Sequence, residues 1–439
     1  MTDEEPIDSV RGDGTGLLIP AHADAFHAAG ADFLTNAFRA YGSLSNSNSV
    51  VRITRFERCR VGSTGQKVLL SVEYAHAEPG VPVDFFVKFS RDFNDAFRDR
   101  RRSELESEIA LCELSRLPSF PIRVPVPYFA DFHRESATGL LITEEIPFGR
   151  NGIEPLQPKC MDHVLDRPID YYRAILCALA RLAAAHKSGL LAPQVDALFP
   201  FDPAQAAAAD PIPWNEDGLR EQVARYATFA ANCPQLLPAH LRSAEFIAQF
   251  EQDAIWILRN ERAIKRTLHA DPAFIALSHF NPNIDNAWFW RDASGSLQCG
   301  LFDWQRARQM NVAYALWGGL CGAGLDIWDN HLGELLALFA DEVREHGGPQ
   351  LNLEQLELYL HLYAATIGLA GLIVTPALVL SYLPEAAQAA GPLDPLVLKS
   401  EPARSFLHVF TVLLNLWQTR KFRVSLDRML AVIEKAGVR

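Results

Sequence analysis

Two hydrophobic periods divide this chain, and the change from one to the other near residue 146 leaves few architectures open to it. Short runs with strand character fill the first part: Val51–Val61, Lys67–Tyr74 and Val83–Phe89, the last reading Val-Asp-Phe-Phe-Val-Lys-Phe. Two more, Val126–Asp131 and Gly139–Glu145, follow after a charged stretch. Alternation with a period of two marks half-buried strands. From Ile169 the pattern changes, with apolar residues at 169, 172, 175, 176, 179 and 182, the spacing of a helix face. Helical patterns then run to the C-terminus, broken over Leu277–Asp303. Strands grouped first and helices second predict an α+β protein. The expected layout is a loose tail over residues 1–20, an N-terminal lobe over 21–146 and a helical C-terminal lobe over 147–439. A helix over Ala23–Tyr41 precedes the strands. The N-terminal lobe is a five-stranded antiparallel sheet with one helix, Asp95–Leu117.

The 439 residues are 49% hydrophobic and 21% charged, an ordinary globular balance. A net charge of −12 argues against a nucleic-acid partner, which calls for clustered Lys and Arg, and suits a cationic or neutral small molecule. Seven cysteines, an odd number without a Cys-x-x-Cys pair, predict reduced buried thiols in a cytoplasmic protein. The acidic start, Met-Thr-Asp-Glu-Glu-Pro, is no signal peptide. Leu358–Leu383 holds no charged residue and is long enough to cross a bilayer. His361, Thr366 and Pro376 within it, and the amphipathic Leu353-Glu-Gln-Leu-Glu-Leu before it, instead predict a buried helix pair broken near Pro376, with no membrane span.

Chemistry concentrates in the segment that breaks the helical pattern. Leu277-Ser-His-Phe-Asn-Pro-Asn-Ile-Asp-Asn-Ala-Trp-Phe289 is followed by Gly300-Leu-Phe-Asp-Trp-Gln305. Catalytic loops that transfer phosphoryl groups carry a His, an Asp two residues on, an Asn five further, and a metal-binding Asp beyond the next hairpin. His279, Asn286 and Asp303 fit that frame. The base position holds Asn281. A hairpin through Arg291–Gly295 is expected to bring Asn286 and Asp303 together, where amide and carboxylate oxygens suit Mg²⁺. The rival His269-Ala-Asp271 has Ala276 where the Asn belongs and reads as a helix end and turn.

Lys88 lies in the apolar run Phe85–Phe89, and an ammonium buried there needs an anionic partner. The following helix offers Glu104, Glu106 and Glu108; Glu108, at the start of an apolar run, is the favoured one. The turn Gly62-Ser-Thr-Gly65 can either cover phosphates with backbone N–H groups or simply join two strands. No Gly-Lys-Ser/Thr phosphate loop or dinucleotide glycine fingerprint is present.

With Leu179-Ala-Arg-Leu-Ala-Ala-Ala-His186, the His279–Asn286 loop and Phe302-Asp-Trp-Gln305 in place, the chain resembles the aminoglycoside phosphotransferase superfamily. Choline-kinase and ecdysteroid-kinase-like proteins are related to it, within the protein-kinase-like fold. The resemblance implies a bilobal fold and a kinase of small molecules that uses ATP (or another NTP) with Mg²⁺ in the cleft between lobes. It implies Lys88 on the phosphates, paired by Glu108, with Asn286 and Asp303 on the metal. The adenine is expected at the backbone near Ile142–Ile146, which includes Glu144 and Glu145. The chain departs from the family in reading His279-Phe280-Asn281 where the family reads His-Gly-Asp, and in lacking an acidic residue over Met310–Leu316.

An amide accepts a hydrogen bond but cannot hold a proton at neutral pH. General-base help is worth about 10²–10⁴-fold, so its loss slows transfer without removing positioning or metal effects. Three readings follow: a kinase whose base is relocated, to Asp285 for instance, or not needed because the acceptor is already acidic; a nucleotide-binding pseudokinase; or nucleotidyl transfer on the same fold.

Overall fold

The computed structural model describes residues 7–60, 62–420, 422, 424, 425, 427 and 428. The chain divides into two units, one of Met1–Ile153 with Gly300–Ala307 and the other of Glu154–Cys299 with Arg308–Arg439. The boundary expected at 146 therefore falls a few residues later. The Asp303 segment belongs to the first unit, although the sequence places it deep in the second half.

In the first unit, Ser9–Arg11 (β1) and Leu18–Pro20 (β2) pair antiparallel within the stretch expected to be a loose tail. What orders it is Asp131, whose carboxylate accepts hydrogen bonds from the backbone N–H groups of Gly14 and Thr15, both at 2.9 Å. Five strands follow: Val50–Cys59 (β3), Lys67–Tyr74 (β4), Asp84–Phe89 (β5), Pro127–His133 (β6) and Thr138–Glu144 (β7). They form one antiparallel sheet in the order β3-β4-β5-β7-β6.

Alternation along the strands gives this sheet two apolar faces. Val68 and Leu70 of β4, Phe85 and Val87 of β5, and Leu140 and Ile142 of β7 pack with Phe26, Leu34 and Phe38 of the Ala23–Tyr41 helix. On the other face Ala130, Phe132 and Leu141 pack with Leu105, Ile109 and Cys112. Two helices therefore flank the sheet where one was expected. The single helix foreseen over Asp95–Leu117 is divided into Ala96–Asp99, a 3₁₀ turn at Arg102–Glu104 and Leu105–Ser115. Asp95 caps the first piece, accepting from the N–H groups of Phe97 and Arg98.

The second unit is mainly helical. Its longer helices include Pro168–Lys187, Glu216–Asn232, Ala244–Leu268, Leu332–Glu345, Leu353–Ile367 and Glu401–Thr419. A short antiparallel pair, Ile275–Ser278 (β8) with Arg308–Asn311 (β11), sits among them. Ala287–Arg291 (β9) and Leu297–Leu301 (β10) form the expected hairpin. Among the described residues no single helix is long and apolar enough to cross a membrane. Leu353–Leu372 and Thr375–Tyr382 pass that test only as a pair, bent by 49°. The break falls just before Pro376, which occupies the first turn of the second helix, where its missing N–H costs nothing. All seven cysteines are unbridged thiols.

Candidate functional site

Period-two alternation determines where Lys88 points. Phe85, Val87 and Phe89 face the Ala23–Tyr41 helix, so Lys88 lies on the other face, toward Leu105–Ser115. There its Nζ donates to both carboxylate oxygens of Glu108, at 2.9 and 3.0 Å. Glu108 is thus the partner among the three glutamates. Glu106 pairs instead with Arg134, at 2.7 Å, and Glu104 stands at the helix start. Lys88 and Glu108 are 7% and 6% exposed, so each charge depends on the other.

Asp303 completes this cluster, its Oδ1 accepting from Lys88 Nζ at 2.8 Å. Its side chain is 39% exposed, far more open than the other two. Burial works against the Lys88 ammonium, but Asp303 and Glu108 more than reverse it and hold its pKa above the ordinary lysine value. Burial also pushes the Glu108 carboxyl up. Asp303 has φ +64°, in the left-handed region that Asp tolerates better than most residues. The segment is fixed on both sides. The Trp304 backbone hydrogen-bonds Glu108, the Trp304 indole donates to Leu301 O at 2.8 Å, and Leu301 N–H donates to Arg123 O at 3.0 Å.

The Gly62–Gly65 turn lies beside this cluster. Thr64 Oγ1 donates to Gln305 Oε1 at 2.8 Å, tying the turn to the Asp303 segment. A Cβ on Gly65 would lie 1.8 Å from Phe89 O, and its φ is +43°, so only glycine fits. Arg98 donates to Gly65 O at 2.9 and 2.7 Å. Lys67 donates to Thr64 O. Sequence reasoning missed Lys67 and Arg98. The signal for Lys67 was a lysine opening a strand that continues with the apolar Val68, Leu69 and Leu70.

Glu144 ends β7 and Glu145 follows it. Their backbone N–H groups donate to Val126 O and Asp84 O, at 3.0 and 3.1 Å. Their carboxylates accept from Val126 N–H at 3.1 Å and Arg55 Nη1 at 2.9 Å. Both N–H groups are thus committed to the sheet, so a base read here would meet carbonyl oxygens or the residues that follow.

In the second unit, the loop after β8 carries the remaining candidates. His186, from the Leu179–His186 motif, accepts the Leu277 N–H through Nδ1 at 3.1 Å and so anchors β8. His279 is 0% exposed, and its Nδ1 accepts the Asn281 N–H at 3.0 Å. That geometry makes His279 a positioning residue for the loop. Asn286 donates through Nδ2 to Asn281 O at 2.8 Å, which leaves its amide oxygen as the end suited to a cation. Asp285 acts on Lys159, whose Pro-containing loop carries no motif that would single it out. Burial lowers the Lys159 ammonium, and Asp285 leads the groups that raise it again. Asp271 of the rival motif caps the turn at Pro272–Phe274, accepting from Ala273 N–H at 2.9 Å, as a helix end and turn should.

The loop lies close to the Val312–Leu320 helix. A Cβ on Gly318 would lie 2.6 Å from Phe280 O and 3.3 Å from Asn281 Cα. Trp317 and Trp328 are core residues at 4% and 1% exposure.

Among the described residues no group of three or more His, Cys, Asp or Glu could hold a metal ion. That does not count against magnesium, which commonly takes one or two protein oxygens and completes its shell with water and substrate phosphates. Asp303 in the first unit offers a partly open carboxylate of that kind, and Asn286 in the second an amide oxygen.

No family model matches the chain, and no curated protein does. Among solved structures, it is similar to an ethanolamine kinase of Plasmodium vivax, at 13% identity over 84% of this chain and 83% of that one, with a TM-score of 0.41. A choline kinase from Cryptosporidium parvum matches at 14% identity, over 92% and 97% of the two chains, with a TM-score of 0.41. The GDP complex of an aminoglycoside 2′-phosphotransferase matches at 14% identity, over 85% and 95%, with a TM-score of 0.38.

Proposed function

We propose that the chain binds ATP, or another nucleoside triphosphate, with Mg²⁺ and transfers a phosphoryl group to a small molecule. The observation that carries this reading is the buried Lys88–Glu108 pair with Asp303 set against it. A buried ammonium already satisfied by one carboxylate does not need a second, partly exposed one for stability. The pair makes sense where an anion and its metal are received.

In this reading Glu108 orients Lys88, and Lys88 binds the phosphates. Asp303 and Asn286 would hold the metal, which when bound neutralises charge on the phosphates. His279 shapes the loop through the Asn281 N–H. Asn281 can accept a hydrogen bond from the acceptor group but takes no proton. The acceptor then either reacts already deprotonated, as a carboxylate or phosphate would, or loses its proton to Asp285. Nucleotide binding without transfer is the second reading, and the amide at 281 favours it.

Calorimetric titration with ATP and Mg²⁺ should give saturable heat, and transfer from γ-labelled ATP across a metabolite panel should then label one acceptor. No heat at millimolar ATP would sink both readings. Binding with no labelled acceptor would leave the second.

A further inference from the structure

Lys67 opens β4 and stands directly opposite Lys88 in the register with β5. Val68, Leu70 and Val72 face the Ala23–Tyr41 helix, so Lys67 projects from the Lys88 face. Like charges directly opposed across two strands are destabilising. These two persist in a buried setting, with Lys67 5% exposed. The groups that act on Lys67 are Lys88 from β5, Arg98 from the Ala96–Asp99 turn, Glu108 from the following helix and Asp303, with Cys59 opposite it on β3.

Both carboxylates of this set are bonded to Lys88. Lys67 Nζ meets neutral oxygens, the Thr64 carbonyl and, at 3.3 Å, Thr64 Oγ1. It lies directly against the turn, since a Cβ on Gly62 would be 3.5 Å from it. We infer that Lys67 is a second phosphate-binding cation, seated beneath the Gly62–Gly65 turn and taking the terminal phosphates of a nucleotide alongside Lys88. This rests on the nucleotide reading above and adds a residue to it. Burial, then Lys88 and Arg98, draw the Lys67 ammonium down to about 7, against the pull of Asp303 and Glu108. Arg98 is itself paired with Asp92 at 3.3 Å, so a phosphate seated beneath the turn would be the anion that holds the Lys67 proton.

A lysine that merely pinned the turn would behave differently. Binding of adenosine, ADP and ATP is measured for the full chain and for Lys67→Met and Lys67→Gln, alongside thermal melting. Affinity for ATP should fall about tenfold or more in both variants, with a smaller fall for ADP. Adenosine should bind within about twofold of the parent, and the Met variant should melt no lower. Unchanged ATP affinity, or an equal loss for adenosine and ATP, would overturn the inference alone. A parent chain that binds no ATP would overturn the nucleotide reading and this inference with it.

Discussion

Lys88 Nζ and Asp303 Oδ1 lie 2.8 Å apart although 215 positions separate them in sequence. Glu108 already satisfies the ammonium, so Asp303 is the member of the cluster that can be removed without stranding a buried charge. Asp303→Ala should melt within a few degrees of the parent yet lose metal-dependent nucleotide binding. Retention of that binding in a calorimetric titration would refute the metal assignment.

Glu108 is the opposite case. Lys88→Met leaves its carboxylate buried without the ammonium that both its oxygens accept from. Breaking one side of a buried pair costs about 3–5 kcal/mol. Urea denaturation should show a loss of that order, and the double variant Lys88→Met with Glu108→Leu should recover most of it.

Asn281 contributes its backbone N–H to His279 and its carbonyl to Asn286, so the loop geometry does not depend on its side chain. Asn281→Asp should therefore fold normally. If an acceptor hydroxyl must lose its proton, the variant should raise kcat by up to about 10²–10⁴-fold. An unchanged kcat would show that no base is needed at that position.

Stability should depend on pH through Lys67. Its folded pKa, about 7, lies below the ordinary lysine value of 10.5. Between the two the unfolded chain binds more protons, so the protein gains stability from this group as pH rises through that window. The penalty is complete below pH 7. Lys67→Met should accordingly raise Tm most at pH 6 and progressively less toward pH 10. A pH-independent difference would contradict the burial of a charged amine.

Gly318 permits the close approach of its helix to the Phe280–Asn281 backbone. Gly318→Ala should force a shift there and cost about 1–3 kcal/mol. Nucleotide binding to the first unit should survive better than transfer does, a split that paired binding and rate measurements would show.

The sequence carried the strands and the Lys88–Glu108 pair because both follow from local pattern: alternation sets the face, and a buried ammonium demands an acid. It did not reveal the second flanking helix, because nothing in Ala23–Tyr41 says which face of a sheet five strands later it will cover. The Ser9–Pro20 hairpin was equally hidden, since Asp131, which orders it, lies more than a hundred residues away. Lys67 escaped notice because its importance lies in cross-strand register with Lys88, not in its own neighbours. Glu144 and Glu145 show the influence of strand pairing. Their position in the chain suggested a ligand contact, and the sheet had already used their N–H groups.

The inclusion of Gly300–Ala307 in the first unit has a consequence for how the protein is made. A ribosome releases Lys88 and Glu108 well before Asp303, with all of Glu154–Cys299 synthesised in between. Until residue 307 emerges, the sheet lacks the strap that docks on Arg123, Glu108 and Thr64. The Lys88–Glu108–Asp303 cluster is therefore finished late in synthesis, and a fragment ending at Ile153 would carry Lys88 and Glu108 without Asp303.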